Sequence, residues 1–133
     1  KTNPVLTPNI PEAEILTDIK INNLIDMKTA AKKIINLGAN FVVLKGGHMH
    51  APIMSDLLIG TEVIDLIETK KIVTKNTHGT GCTMASALTA GLAKSLEIKE
   101  AFRNAHFYVN QAIMTSPSFG AGHGPINHSF NIN

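Results

Sequence analysis

The chain has 133 residues, 44% hydrophobic and 17% charged, an ordinary globular balance with room for one modest domain. Its net charge of +2, spread over scattered lysines, gives no electrostatic case for nucleic acid. The single cysteine excludes an internal disulfide and suits a reducing, cytoplasmic compartment, no apolar run reaches membrane-span length, and no secretory leader is visible.

In chain order, residues 3–8 (NPVLTP) predict a short buried strand ending at a turn. NIPEAEILT then starts a short helix, with Pro11 at a tolerated first position and Glu12 and Glu14 in the first turn. From Lys20 to Leu37, Ile21, Leu24, Ile25, Ala31, Ile34 and Ile35 recur at helical spacing, and Gly38 is a natural stop. NFVVLKGG is a continuous apolar run closed by glycines, the pattern of a strand buried on both faces. Strand, helix and strand together predict a right-handed βαβ unit.

The middle differs. SDLLIG, TEVIDLIE and KKIVTK are short, β-rich and separated by turn residues, which predicts hairpins or a meander. A glycine turn follows, then a helix over roughly 80–95. A second helix, KEAFRNAHFYVNQAIMTS, carries an apolar stripe of Ala101, Phe102, Ala105, Val109, Ala112 and Ile113. The tail PSFGAGHGPINHSFNIN reads as an ordered loop. The pattern is α/β, with parallel strands in the first third. The chain begins at Lys1 rather than Met, so a fragment or a processed form is expected.

Four constellations carry possible chemistry. The first is NTHGTGC, residues 76–82, at a strand-to-helix junction. It lacks the Lys-Ser/Thr of a Walker A loop and the third glycine of a dinucleotide turn. Two readings stay open: a helix start capped by Thr77 or Thr80, or an anion nest in which N–H groups from Gly79 to Cys82 surround a phosphoryl group. Cys82 in a first helical turn sits where the dipole favours thiolate; the plainer reading is a small buried hydrophobe.

The second is Asn9 and Glu12 in NIPE, three apart at a strand end and helix start. They suit a magnesium ion held largely through water and phosphates, or a helix cap with a dipole-matched acid. The third is KGGH, where Lys45 ends a buried strand and is either solvated or facing a phosphate. Asp56 in SDLL is a further acid, with an ordinary turn role as its alternative. The fourth is the histidine set: His48 and His50 with H-x-H spacing, and His123 and His128 in the tail. Zinc fits poorly, since the ligand count is low. Loop positions in turns explain most of these histidines, and GAGHGPINH is a candidate lid or substrate wall.

Taken together and in this order, TPNIPEAEIL, KGGH, NTHGTGCTMASALTAGLA and GAGHGPINH resemble hydroxymethylpyrimidine/phosphomethylpyrimidine kinases of thiamine biosynthesis, in the ribokinase-like superfamily. The resemblance covers essentially the whole chain, and NTHGTGC is its most specific part. It implies a three-layer α/β/α ribokinase-like fold. It also implies MgATP-dependent phosphorylation of an aminopyrimidine hydroxymethyl group, then of the monophosphate. By position, Gly79, Thr80, Gly81 and Cys82 form the anion hole, with Cys82 the general base. Asn9 and Glu12 match the superfamily's N-x-x-E motif for magnesium and phosphate; Lys45 and Thr77 fit the nucleotide phosphate side. Members of this family are much longer, and their N-terminal half carries the first strands, a glycine-rich substrate loop and most pyrimidine contacts.

Residues 1–133 therefore resemble one partial kinase domain, the C-terminal nucleotide and anion-hole half. A half sheet exposes an edge, so self-association or a complementing N-terminal chain is expected. Two alternatives stand beside this reading. One is a pyridoxal kinase of the same superfamily, against which Cys82 argues, since most such kinases carry aspartate there. The other is a non-catalytic remnant that binds nucleotide or only assembles with a partner.

Overall fold

Two prolines set the start of the fold. Pro4 and Pro8 lack a backbone N–H and bracket β1, which is only Val5–Leu6, shorter than the 3–8 expected and half-buried rather than buried. Their carbonyls still serve the next strand: Pro4 accepts from Asn40 at 2.8 Å and Pro8 from Lys45 at 3.0 Å. The computed structural model describes residues 3–47, 52–62, 64–119 and 121–132. The chain forms two compact units, Lys1–Lys71 and Ile72–Asn133.

In the first unit β1 is followed by α1 (Ile10–Thr17), α2 (Leu24–Asn36), β2 (Phe41–Lys45), β3 (Ile53–Gly60) and β4 (Ile64–Lys70). The sheet order is β1-β2-β3-β4. β1 and β2 are parallel, as the strand–helix–strand pattern predicts, with Val5 beside Phe41. β2, β3 and β4 form an antiparallel meander. KKIVTK is not a strand. Its first residue, Lys70, ends β4 opposite Ile53, and Lys71 N–H donates to the Pro52 carbonyl at 2.9 Å, beyond which no ladder continues among the described residues.

α2 starts later than the periodicity predicts because Asn23 caps it, its Oδ1 accepting from Ile25 and Asp26 N–H at 2.8 and 3.0 Å. Ile21 belongs to the loop before it, yet is buried in the core. Val42 and Leu44 on β2 share a face with Leu57 and Ile59 on β3, and Met27 and Ile34 of α2 pack in the same cluster. Val43 and Leu58 occupy the other face and are also fully buried. Truncating such a residue, for example Leu44→Ala, costs about 2–5 kcal/mol.

In the second unit α3 (Thr80–Ala93) packs against α4 (Ile98–Met114). Gly91 permits close approach: a Cβ there lies 3.0 Å from the Ala101 Cβ. The expected stripe is the packed one, with Ala101, Phe102, Ala105 and Ala112 buried and Val109 and Ile113 half-buried. His106 is buried beside it, its Nε2 2.6 Å from Asn110 Nδ2. The described part of the tail is a loop, not a helix, as expected. Asn127 N–H donates to the Ala112 carbonyl at 2.8 Å, and Ile126 is buried. No described helix is long and apolar enough to cross a membrane.

Candidate functional site

The glycine turn opens α3 with a backbone cap alone. Gly79 is the N-cap of α3 at φ +88°, a left-handed conformation that glycine adopts without the Cβ clash of other residues. No side chain caps the helix, so of the two open readings the start capped by Thr77 or Thr80 does not hold. The Thr80 hydroxyl instead donates to the Thr77 carbonyl at 3.1 Å, and the Thr83 N–H and hydroxyl both reach the Gly79 carbonyl at 2.9 and 2.8 Å. The N–H groups of Gly81 and Cys82 therefore have no partner among the described residues. They point out of the positive end of a 14-residue helix.

Cys82 lies in this first turn and is exposed, not the buried hydrophobe of its plainer reading. Cys82 lines one end of a groove of about 590 Å³ between α3 and α4. Thr83, Ser86, Ala90 and Lys94 line one wall, with Tyr108 and His128 on the other.

The tail motif is tied to the glycine turn. His78 and Pro125 form a parallel β-bridge, with His78 N–H donating to the Gly124 carbonyl at 3.2 Å. His123 Nδ1 lies 3.3 Å from the Lys75 carbonyl, and Lys75 Nζ reaches the Ala121 carbonyl at 3.5 Å. Asn76 is buried, and its Nδ2 donates to the Ser116 and Ser118 hydroxyls, each at 3.3 Å. His128 lies against Tyr108, its ring stacked at 6.3 Å. Asn76 and Gly124 carry no role legible in the sequence, because their contact joins residues 48 positions apart and no local pattern announces it.

In the first unit a second set of residues meets where β1 and β2 end. Asn9 bridges to Lys45, so NIPE and KGG are neighbours. Asn9 and Glu12 form a capping box: Asn9 Oδ1 accepts from Glu12 N–H at 2.9 Å, and Glu12 Oε2 accepts from Asn9 N–H at 2.8 Å. Asp56 is not a turn residue. It lies within β3 directly opposite Lys45, is 5% exposed, and takes the Gly46 N–H on Oδ1 at 2.9 Å. Ser-Asp resembles turn chemistry, and the signal for a strand is the apolar LLIG that follows.

Among the described residues no three His, Cys, Asp or Glu side chains converge on a metal position. The donor set at Asn9 and Glu12 is one exposed carboxylate beside an amide already engaged in the cap. That fits magnesium held mainly by water and phosphate oxygens, not an all-protein cage. His48 and His50 lie outside the described residues. The structure thus brings Thr77, Gly79, Thr80, Gly81 and Cys82 together in the second unit, and Asn9, Glu12 and Lys45 together in the first.

The sequence model of phosphomethylpyrimidine kinase matches residues 1–127. A hydroxymethylpyrimidine/phosphomethylpyrimidine kinase of Bacillus subtilis is 45% identical over 124 residues, covering 92% of this chain and 46% of the relative. Among solved structures, an ADP complex of Bacillus subtilis pyridoxal kinase superposes with a TM-score of 0.87 at 40% identity, over 94% of this chain and 49% of that one. Phosphomethylpyrimidine kinase from Clostridium difficile superposes at 0.69 and 39% identity, over 82% of this chain and 42% of that one. The chain spans about half the length of these relatives. With a ribokinase-like α/β fold and its motifs in the family's order, the chain belongs to the phosphomethylpyrimidine kinase family.

Proposed function

We propose that residues 1–133 are the nucleotide and anion-hole half of one kinase domain. In it, ATP phosphorylates hydroxymethylpyrimidine and then its monophosphate, for thiamine diphosphate biosynthesis. The observation that carries this is the exposed Cys82 thiol beside two backbone donors with no partner among the described residues, at the turn where the family motif lies.

Phosphoryl transfer needs positioning and charge neutralisation more than covalent work by the protein. The Gly81 and Cys82 N–H groups hold the oxygens of the transferring phosphoryl group, with Gly79 and Thr80 shaping the turn. Cys82 Sγ takes the proton as the substrate hydroxyl oxygen bonds to the γ-phosphorus. The bond from that phosphorus to the β–γ bridging oxygen breaks, and ADP leaves. Lys45 and Thr77 serve the nucleotide phosphates. Bound magnesium would neutralise phosphate charge, with Glu12 and Asn9 the residues that would hold it.

The remaining pyrimidine contacts come from sequence outside these residues, from a complementing chain or from a second copy. The single cysteine is in keeping with a reducing cytoplasm. A second reading, pyridoxal phosphorylation, is favoured by the pyridoxal kinase superposition at 0.87. The deciding experiment measures ADP formation from MgATP with hydroxymethylpyrimidine or with pyridoxal, using Cys82→Ala as control. Pyrimidine-dependent ADP, lost in the variant, supports the first reading. Turnover with pyridoxal alone replaces it with the second. Nucleotide binding without turnover assigns the chain only the nucleotide half.

A further inference from the structure

We infer that Asp56 is a positioning residue: from β3 it pins the Lys45-Gly46-Gly47 turn, and so fixes where that turn meets the phosphates of a nucleotide. This rests on the nucleotide reading of Lys45. The ladder between β2 and β3 pairs Lys45 with Asp56, and there it stops. Gly46, one step further, crowds β3 too closely for any side chain: a Cβ on it lies 2.1 Å from the Ser55 carbonyl oxygen. Its N–H goes to the Asp56 carboxylate at 2.9 Å, a buried bond from a backbone donor to an ionisable side chain. A side chain has thus replaced the strand backbone as acceptor at the point where the chain turns away.

The preceding N–H is held too. Lys45 N–H donates to the Pro8 carbonyl at 3.0 Å, next to the Asn9 bridge. The Lys45–Gly46 segment is therefore anchored by Pro8 and Asn9, just beyond β1, on one side and by Asp56 on the other. As register partners, Lys45 and Asp56 project to the same sheet face, opposite the face that Val42, Leu44, Leu57 and Ile59 pack against α2. The hydrophobic core therefore does not require an acid at position 56. Burying one there is costly unless it is bonded, and the Gly46 N–H supplies a bond.

The test compares Asp56→Ala and Asp56→Asn, alone and combined with Lys45→Ala, by MgADP titration and by amide hydrogen exchange at Gly46. Asparagine keeps an acceptor for the Gly46 N–H and alanine does not. The Asp56→Ala chain is expected to bind MgADP about tenfold more weakly, and Asp56→Asn to recover most of that loss. In the Lys45→Ala background Asp56→Ala should add little, because the turn then has no lysine to place. Gly46 exchange should be slow in the wild type and Asp56→Asn and fast in Asp56→Ala. Unchanged Gly46 exchange, an Asp56→Asn chain as weak as Asp56→Ala, or a full penalty persisting without Lys45 would each overturn the inference. If Asp56→Ala does not fold, Asp56→Ser replaces it, its hydroxyl too short to hold Gly46. A wild-type chain that binds no nucleotide refutes the nucleotide reading of Lys45, and Gly46 exchange alone then decides whether Asp56 pins the turn.

Discussion

The Asn76 amide lies against the Gly124 backbone so closely that a Cβ at position 124 would lie 2.2 Å from Asn76 Oδ1. Asn76 opens the nest motif and Gly124 belongs to the tail motif, so the two sequence signatures are one packed unit. Gly124→Ala should push the amide off Ser116 and Ser118 and loosen the His78–Pro125 bridge. The expected cost is about 1–3 kcal/mol, as for other small-to-large changes at packed sites. Thermal unfolding checks it; an unchanged midpoint would mean the tail does not brace the nest.

Cys82 is exposed, so Cys82→Ala removes chemistry without removing core. The folded chain should keep its stability within about 0.5 kcal/mol. Phosphoryl transfer should fall by about 10²–10⁴-fold, the range for a lost general base. A variant with full turnover would leave the thiol without a catalytic role and hand the chemistry to the backbone nest alone.

The boundary between what the sequence discloses and what it hides is physical. α4 is legible because Ala101, Phe102 and Ala105 repeat at helical spacing, and β2 because its apolar run ends at Gly46. The start of α3 is legible because Gly79 and Gly81 precede a run of small and aliphatic residues. KKIVTK misleads because β-rich composition does not reveal whether a partner strand exists, and β3 has already ended at Ile53. The start of α2 misleads because Ile21 keeps the helical period while Asn23 holds the cap. Asn76 with Ser116, and His123 with Lys75, are 40 and 48 residues apart, and pairings at that range leave no local pattern.

Glu14 gives the first unit an acid-sensitive tie. Its carboxylate accepts the Ile21 N–H at 2.8 Å and Lys20 Nζ at 2.9 Å, and these hold its pKa below the ordinary 4.5, the Ile21 bond contributing most. A carboxyl whose folded pKa is lowered stabilises the fold above its unfolded value, and this is lost as pH falls through the lower folded value. Wild type should therefore exceed Glu14→Gln in urea midpoint at neutral pH, and the gap should close on acidification below 4.5. A gap that persists at low pH would assign the difference to packing rather than to ionisation.

Glu12 can be tested as a cap and as a magnesium residue separately, because the two roles need different properties of one side chain. The capping box needs an acceptor three residues into α1, which glutamine supplies; magnesium needs the charge. Glu12→Ala loses both and should cost about 1 kcal/mol of stability. Glu12→Gln should unfold within a few tenths of a kcal/mol of wild type, allowing for the lost favourable charge at the helix start. Its magnesium midpoint for MgATP binding should nevertheless rise severalfold. If the two variants shift the magnesium midpoint in proportion to their stability loss, Glu12 is a cap and nothing more. If Glu12→Gln shifts the midpoint while unfolding normally, the carboxylate itself faces the metal.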